Sequence, residues 1–309
     1  MDRRQLRYFA AICEHRTLSR AAAHERVAVS ALSHHIANLE AQFGTALFIR
    51  KPRGMEPTAA GERLYGHAKS ILKAMTVAER DVVSASGEIA GEVSIGMAYS
   101  AVKAIGVDMM RRVIADHPKL KLSLSESLSG STLLHLLSFE IDLAVVFNPP
   151  DDPRLRTTPI IEERMMCVGR PDIIGRSKMP IAFSELLELP IIIPRQGNSA
   201  RAIIDNPGLL KKLEAVAQLQ MNSVYAITGS LLAGLGCVIG TQHFVAEHLA
   251  SGQLHARPIV EPELKRTLYI CKMADGPASF ALETIERLVV DLISGAVQSG
   301  RWAATVLER

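Results

Sequence analysis

Residues 17–58, TLSRAAAHERVAVSALSHHIANLEAQFGTALFIRKPRGMEPT, decide the fold. Thr17 stands where an N-cap is needed for a short helix over 18–25, whose three alanines let another helix come close. Val27 plugs the following turn, and a longer helix runs over about 29–42. There Leu32, Ile36, Leu39 and Phe43 recur at spacings of four, three and four and share one apolar face, until Gly44 stops the helix. The opposite face is centred on Ser30, His34, Ala37 and Ala41, is flanked by Ser33 and Asn38, and carries no acid. Small and hydrogen-bonding side chains suit entry into a major groove, where a carboxylate would repel phosphates.

Upstream, Leu6, Phe9, Ala10 and Cys13 form one stripe on a helix over 4–15. Two short helices followed by a polar-faced third make a helix-turn-helix, and a plain three-helix core with a neutral outer face fits the same segment. Downstream, Leu47-Phe48-Ile49-Arg50 and Met55-Glu56-Pro57 read as two short strands around Lys51-Pro52-Arg53-Gly54, with Pro and Gly where a type I turn takes them. This wing gathers Arg50, Lys51 and Arg53, either to neutralise phosphates and enter a narrow minor groove or simply to face water. Thr58 then caps a helix to about residue 85 in which Leu64, Ala68, Ile71, Met75, Ala78 and Val82 make a heptad seam. Such a seam pairs with its own copy, giving the two-fold symmetry that reads two half-sites, or packs on the body of its own chain.

At 309 residues the chain has room for two or three domains, and 48% hydrophobic with 22% charged residues is ordinary globular usage. Its apolar runs are broken by Glu, Pro or Gly well short of the ~18 residues of a membrane span. Glu14, His15 and Arg16 interrupt what would be the apolar stretch of a secretory signal, so a cytoplasmic chain with no membrane partner is expected. Cys13, Cys167, Cys237 and Cys271 lie far apart in apolar surroundings and read as reduced, buried thiols. Residues 1–86 hold 13 Lys/Arg against 8 Asp/Glu, or +5, while residues 87–309 hold 22 against 24, or −2. A basic front is one footprint of a nucleic-acid-binding module joined to a sensing or catalytic body.

Leu6-Arg7-Tyr8-Phe9, Leu18-Ser19-Arg20-Ala21-Ala22, Ala31-Leu32-Ser33-His34-His35-Ile36, Leu39-Glu40, Leu47-Phe48-Ile49-Arg50, Pro52-Arg53-Gly54 and Thr58-Ala59-Ala60-Gly61 follow one another in order. Together they resemble the LysR-type transcriptional regulators. In the body, Gly91-Glu92-Val93-Ser94-Ile95-Gly96 is most similar to the branch containing the nitrogen assimilation control regulator. The resemblance implies a winged helix-turn-helix DNA-binding domain in residues 1–58, a linker and dimerisation helix in 59–90, and an effector-binding domain in 91–309. It implies DNA contacts from Thr17, Leu18, Ser19, Arg20, Ala28, Val29, Ser30, Ser33, His34, His35, Asn38, Arg50, Lys51 and Arg53. Self-association falls to Leu64, Ala68, Ile71, Met75 and Val82, as a homodimer that the resemblance extends to a homotetramer. The chain departs from the family at Ala28-Val29-Ser30, where a Ser/Thr-Gln-Pro run is usual, and at His34-His35, which replace an Arg or Gln pair. The docking mode carries over and the base preference does not, because valine offers only apolar contact to a thymine methyl.

From Gly91 onward strands alternate with helices. Strands at 93–97, 120–125 and 143–147 with helices at 102–117 and 131–138 make one doubly wound half. Strands near 165–169, 190–193, 219–222 and 237–239, with helices at 200–216 and 226–233, make the second. In resembling proteins a strand at 267–273 and a helix at 278–297 return to the first half. The fold class is therefore α/β, a winged helix-turn-helix and linker helix followed by two doubly wound subdomains of periplasmic-binding-protein-like (type 2) architecture with a cleft between them. Subdomain one takes residues 91–161 and 267–309, and subdomain two residues 162–266.

Ligands of open α/β sheets bind at the carboxyl ends of strands. The segments ending there hold Tyr99, Ser100, Ala101, Ser129, Gly130, Ser131, Asn148, Arg195, Gly197, Asn198, Ser199 and Ser223. Ser100, Ser129 and Ser131 at helix starts suit a carboxylate-bearing effector, or serve only as N-caps, and Arg195 pairs an acidic effector or faces water. Gly234-Leu235-Gly236 lacks the third glycine of a dinucleotide fingerprint and follows a helix. The sequence contains no Gly-x-Ser-x-Gly elbow, Walker loop, His-Glu-x-x-His helix or paired-cysteine site. His243 and His248, with Glu247 between, read as a helix surface. The expected protein is a regulator and not an enzyme, with no cofactor or metal. Its expected partners are double-stranded operator DNA, a small-molecule effector, its own copies and, for an activator, RNA polymerase. A transport-type solute-binding protein and an enzyme fused to a DNA module are the rival readings.

Overall fold

The computed structural model describes residues 1–52, 54–84, 89–177, 179–195, 198–276 and 279–308. The chain divides into two compact units, Met1–Ser86 with Gly276–Ser279 and Gly87–Asp275 with Phe280–Arg309.

In the first unit α1 (Arg3–His15), α2 (Leu18–Glu25) and α3 (Val29–Phe43) precede a hairpin of β1 (Phe48–Lys51) and β2 (Gly54–Pro57), and α4 (Ala59–Ser84) follows. The helices start where the backbone amides find side-chain acceptors. Asp2 and Gln5 form a capping box, Thr17 accepts from the Arg20 amide, and Thr58 Oγ1 accepts from the Gly61 amide at 3.0 Å. Leu6, Phe9 and Ile12 of α1, Ala21 and Ala22 of α2, and Leu32, Ile36 and Leu39 of α3 form one buried core, which Leu47, Phe48 and Met55 of the hairpin extend. Phe43 is the exception to the expected stripe: it is exposed, because it is the last residue of α3 and left-handed Gly44 turns the chain away there. The hairpin is held from both sides. Glu40 Oε1 accepts from the Leu47 and Phe48 amides at 2.8 and 3.2 Å, and the Met55 amide donates to the Arg16 carbonyl at 2.7 Å. Gly54, at φ 143°, passes so close to that carbonyl that a Cβ would collide with it.

The seam on α4 divides. Ala68 is fully buried in the core of its own unit and Leu64 packs partly against it, whereas Ile71, Met75 and Val82 are exposed. Packing on its own chain thus accounts for the first two heptad positions, and an apolar stripe remains beyond them.

The second unit comprises β3 (Gly91–Met97), α5 (Tyr99–Asp116), β4 (Leu120–Glu126), α6 (Ser129–Leu137), β5 (Leu143–Phe147), β6 (Leu155–Arg164), β7 (Met166–Gly169), α7 (Pro171–Ile174), β8 (Ile181–Ala182), α8 (Phe183–Leu186) and β9 (Ile192–Ile193). It continues through α9 (Asn198–Arg201), α10 (Pro207–Val216), β10 (Leu219–Gln220), α11 (Val224–Leu232), β11 (Cys237–Gly240), α12 (Ala246–Ala250), β12 (His255–Val260), β13 (Lys265–Met273), α13 (Phe280–Gln298) and β14 (Thr305–Val306). Two mixed sheets result. The first lobe has the order β14-β6-β13-β5-β3-β4, with β3 parallel to β4 and β5 and with β13 antiparallel to both its neighbours. The second has the order β11-β7-β12-β8, to which the β9–β10 pair attaches through an Ile191–Cys237 bridge. All five residues of β5 are buried: Leu143, Val145 and Phe147 face the α5 and α13 side, and Ala144 and Val146 face α6. That two-sided burial is why β5 reads as a continuous apolar run.

Three features differ from expectation. β6 continues to Arg164 and β13 begins at Lys265, so residues 162–164 and 265–266 belong to the first lobe's sheet, not to the second lobe. The expected helix over 200–216 is broken between α9 and α10, because Pro207 lacks the amide to continue a helix and Asn206 instead caps the new one. The strands β6, β8, β12 and β14 and the short helices α7 and α8 were not expected at all. At the C-terminus Trp302 is buried and β14 pairs with β6. All four cysteines are free and buried, and burial pushes the Cys13 and Cys271 thiols up to about 12, leaving them unreactive as nucleophiles.

Candidate functional site

On the first unit the outward face of α3 carries exposed Ser30, His34, Ala37, Asn38 and Ala41, with half-buried Ser33 at its flank. Val29 is exposed on the first turn, and Ala28 gives that turn no side-chain cap, which leaves the positive helix end open to an anion. Ser19 and Arg20 are exposed on α2, Thr17 is spent on its cap, and Leu18 leans into the core. His35 departs from the predicted reading face: one residue on from His34 it is rotated toward the core side, its ring meets Tyr8 edge-on at 5.2 Å, and its Nδ1 is buried without a partner. Arg50 is exposed on the hairpin, and Lys51 is also exposed but pairs with Glu56 across the strands. The sequence reading placed Glu56 on the second strand but gave it no pairing with Lys51. An exposed pair of this kind is worth little and yields readily to a phosphate. Arg53 lies outside the described residues.

In the second unit a cavity of about 720 Å³, open to solvent, lies between the lobes at the carboxyl ends of β3, β5 and β11. Its walls are Leu128, Phe147, Ile192, Pro194, Ile203, Val224, Ile227, Val238, Ile239 and Phe244, and its polar groups are Tyr99, Ser100, Ser129, Thr241 and Arg266. Ser100 and Ser129 sit in the first turns of α5 and α6, whose caps, Ala98 and Leu128, make no side-chain hydrogen bond. Two positive helix ends therefore meet at this rim. Ser129 Oγ accepts from the Phe147 amide at 3.1 Å, which leaves its hydroxyl proton to donate elsewhere. Burial, with Glu126 and Glu247 nearby, raises the Tyr99 phenol above its ordinary value, so it stays a neutral donor.

Sequence reasoning missed Arg266. Its guanidinium lies 3.6 Å from the Phe147 ring centroid, its Nε donates to fully buried Glu163 at 2.6 Å, and its Nη2 lies 3.4 Å from Ser100 Oγ. Glu163 also accepts from Trp302 Nε1 at 2.7 Å. Pairing with Glu163 offsets the arginine's charge, so the cavity is nearly neutral apart from its helix ends.

The other candidates do not converge on the cavity. Arg195 is exposed, its amide donates to Asn222 Oδ1 at 2.7 Å, and its side chain is not part of the wall, since Pro194 fills that place. Asn148 is structural: its Oδ1 accepts from the Thr267 amide at 2.9 Å and its Nδ2 donates to the Arg201 carbonyl at 3.4 Å. Ala101 and Gly130 are buried behind the lining, Ser131 is exposed away from it, and Ser223 caps α11. Gly197 lies outside the described residues, as do the side chains of Asn198 and Ser199. Gly236 sits in the tight passage from α11 to β11, where a Cβ would strike the Pro190 carbonyl, so this glycine serves packing and not a phosphate. Among the described residues no group of three His, Cys, Asp or Glu side chains could hold a metal ion, and no helix is long and apolar enough to cross a membrane.

Residues 3–62 match the family model described as bacterial regulatory helix-turn-helix protein, lysR family, and residues 86–293 match the LysR substrate binding domain. The chain is 28% identical over 307 residues to the HTH-type transcriptional regulator BbuR of Bordetella bronchiseptica, covering 98% of this chain and 93% of that protein. It is 28% identical to the nitrogen assimilation regulatory protein nac of Klebsiella aerogenes, covering 95% and 96%. Among solved structures it resembles ArgP from Mycobacterium tuberculosis (TM-score 0.70, 19% identity, 96% of this chain and 98% of that one). It also resembles full-length CbnR complexed with its target DNA (TM-score 0.60, 20% identity, 96% and 100%). With the helix-turn-helix and the substrate binding domain matched in order along most of its length, the chain belongs to the LysR family of DNA-binding transcriptional regulators.

Proposed function

We propose that residues 1–58 read operator DNA, that residues 59–90 join protomers into a homodimer or homotetramer, and that residues 91–309 close on a small-molecule effector. The observation that carries this reading is the apolar cavity between the lobes, with hydroxyls and two uncapped helix ends at its rim. It suits a small molecule with a hydrocarbon body and one acidic or strongly accepting end, such as a carboxylate. Occupancy favours one relative setting of the lobes, and the assembly passes that bias to the spacing of the DNA-binding units. The match to two family models of transcriptional regulators supports sensing over catalysis. The general geometry of helix-turn-helix modules supports a docking mode with α3 in the major groove and the hairpin beside it. Action in the cytoplasm, and contact with RNA polymerase where the outcome is activation, belong to the same proposal.

The test is capture of fragmented source-genome DNA by the full-length protein and by an Arg50→Ala/Arg53→Ala variant. Expected is enrichment of a few upstream regions sharing an interrupted palindrome, lost in the variant, with a salt dependence flatter by about two units of slope at ~0.9 per phosphate contact. Uniform capture by the wild type would overturn the reading. Ile71→Glu, on the exposed part of the α4 stripe, is expected to lower the association state seen by sedimentation. An unchanged sedimentation coefficient would move the interface elsewhere.

A further inference from the structure

Residues 241–247, which follow β11 and enter α12, belong to the second lobe yet touch Trp302, Tyr99 and Lys103 of the first. The His243 ring stacks on Trp302 with centroids 5.1 Å apart and planes 19° apart. Phe244 meets Tyr99 edge-on at 5.8 Å, and its carbonyl accepts from Lys103 Nζ at 3.4 Å. Glu247 lies 3.5 Å from the same ammonium. Thr241 and Phe244 also line the cavity, so this segment is both a cavity wall and the seam where the lobes meet.

His243 is the imidazole in that seam. Its Nε2 is buried without a hydrogen-bond partner, and burial holds the imidazole below its ordinary pKa. Burial is the largest influence and Lys103 of α5 adds to it, while Glu163 of β6 and the backbone of Ser100 and Arg301 favour the charged ring without outweighing them. The charged groups named around it already have partners. Glu163 holds Arg266 and Trp302, Lys103 faces Glu247, and the Arg301 guanidinium donates to Asp108 at 3.0 Å. Among the described residues facing the ring, no carboxylate is left over to receive an imidazolium.

We propose that neutral His243 is the positioning residue that clasps the lobes together over the cavity, and that its protonation releases them. A proton added to the ring would bury a cation that its neighbours compensate only in part in the closed seam, whereas the open seam gives that cation to water. The ring therefore binds its proton less readily closed than open. The closed arrangement has its full stability above the ordinary histidine value of ~6.5 and loses it as pH falls through that value, about tenfold for each unit separating the two states. Effector affinity should follow the same curve, because the clasp segment is part of the cavity wall. The clasp itself rests on the seam alone and is tested without effector or DNA.

Trp302 is the only tryptophan in the chain, so emission from the full-length protein reports the seam. Between about pH 7.5 and about pH 5.5 its emission is expected to change with a midpoint below ~6.5. Over the same range, hydrogen exchange corrected for intrinsic rates should rise together in residues 98–103 and 241–247. His243→Phe keeps the stacked ring and cannot take a proton, so both profiles should become flat. Emission that titrates identically in His243→Phe would overturn the clasp. So would unchanged protection of both segments in the wild type, a result that needs no variant to fold.

Discussion

Glu163→Ala is expected to destabilise the second unit by about 3–5 kcal/mol, the usual consequence of removing one partner from a buried ion pair. The Glu163 side chain is 0% exposed and that of Arg266 is 12% exposed, so water cannot take over the stranded guanidinium. The loss extends beyond the pair, since Trp302 Nε1 donates to the same carboxylate and would become a buried, unsatisfied donor. Chemical unfolding followed by Trp302 emission isolates the second unit, because the first contains no tryptophan. Glu163→Met/Arg266→Met, which removes both charges and roughly keeps the volume, should recover the part of the loss due to the stranded guanidinium but not the part due to the unpaired Trp302 Nε1. A cost below about 1 kcal/mol for Glu163→Ala would mean that the pair is solvated and that Arg266 is free to meet a charged ligand. The functional weight of this network lies in its position: Arg266 is at the cavity wall, and Trp302 is the ring on which the opposite lobe rests.

The elements that could be read from sequence are those whose signals are local. Thr17, Gly44 and Thr58 mark helix ends through their own caps and turns, and the stripe of Leu32, Ile36 and Leu39 needs nothing beyond helical periodicity to be seen. What escaped depends on distant partners. Arg266 sits in the polar run Lys265-Arg266-Thr267 and looks like a surface residue until β13 pairs with β6 and brings Glu163 beside it from 103 positions away. Trp302 finds its acceptor at a separation of 139. β6 itself was hidden because Pro159 and buried Glu163 both argue against a strand, and β12 because it carries Arg257 and Pro258. Arg195 failed for the opposite reason. A polar loop after an apolar strand was correctly read, but loop polarity says that a side chain is exposed and not where it is aimed. The heptad on α4 mixed two signals of one period, since Ala68 serves the core of its own unit while Ile71 and Met75 lie outside it.

Gly54→Val is expected to lower DNA affinity at least about tenfold while leaving the helical signal of the first unit intact. The argument starts from the backbone. Gly54 has φ 143°, a conformation that a branched side chain adopts only under strain, and its missing Cβ is the space occupied by the Arg16 carbonyl. That carbonyl is the acceptor for the Met55 amide at 2.7 Å, the bond that ties the hairpin to the turn between α1 and α2. A valine must push the strand away, break that bond and shift Arg50 relative to the open face of α3. The three-helix core does not depend on this contact, because Phe9, Ile12, Leu32 and Leu39 bury one another without it. Gly44→Ala provides the matched control: it also lies in the left-handed region, at φ 64°, but a Cβ there meets nothing within 4 Å. It should cost about 1 kcal/mol of stability through backbone strain and leave DNA affinity unchanged. If Gly54→Val binds the captured fragments as tightly as the wild type, with the same salt dependence, the hairpin makes no phosphate contact and recognition belongs to α2 and α3 alone.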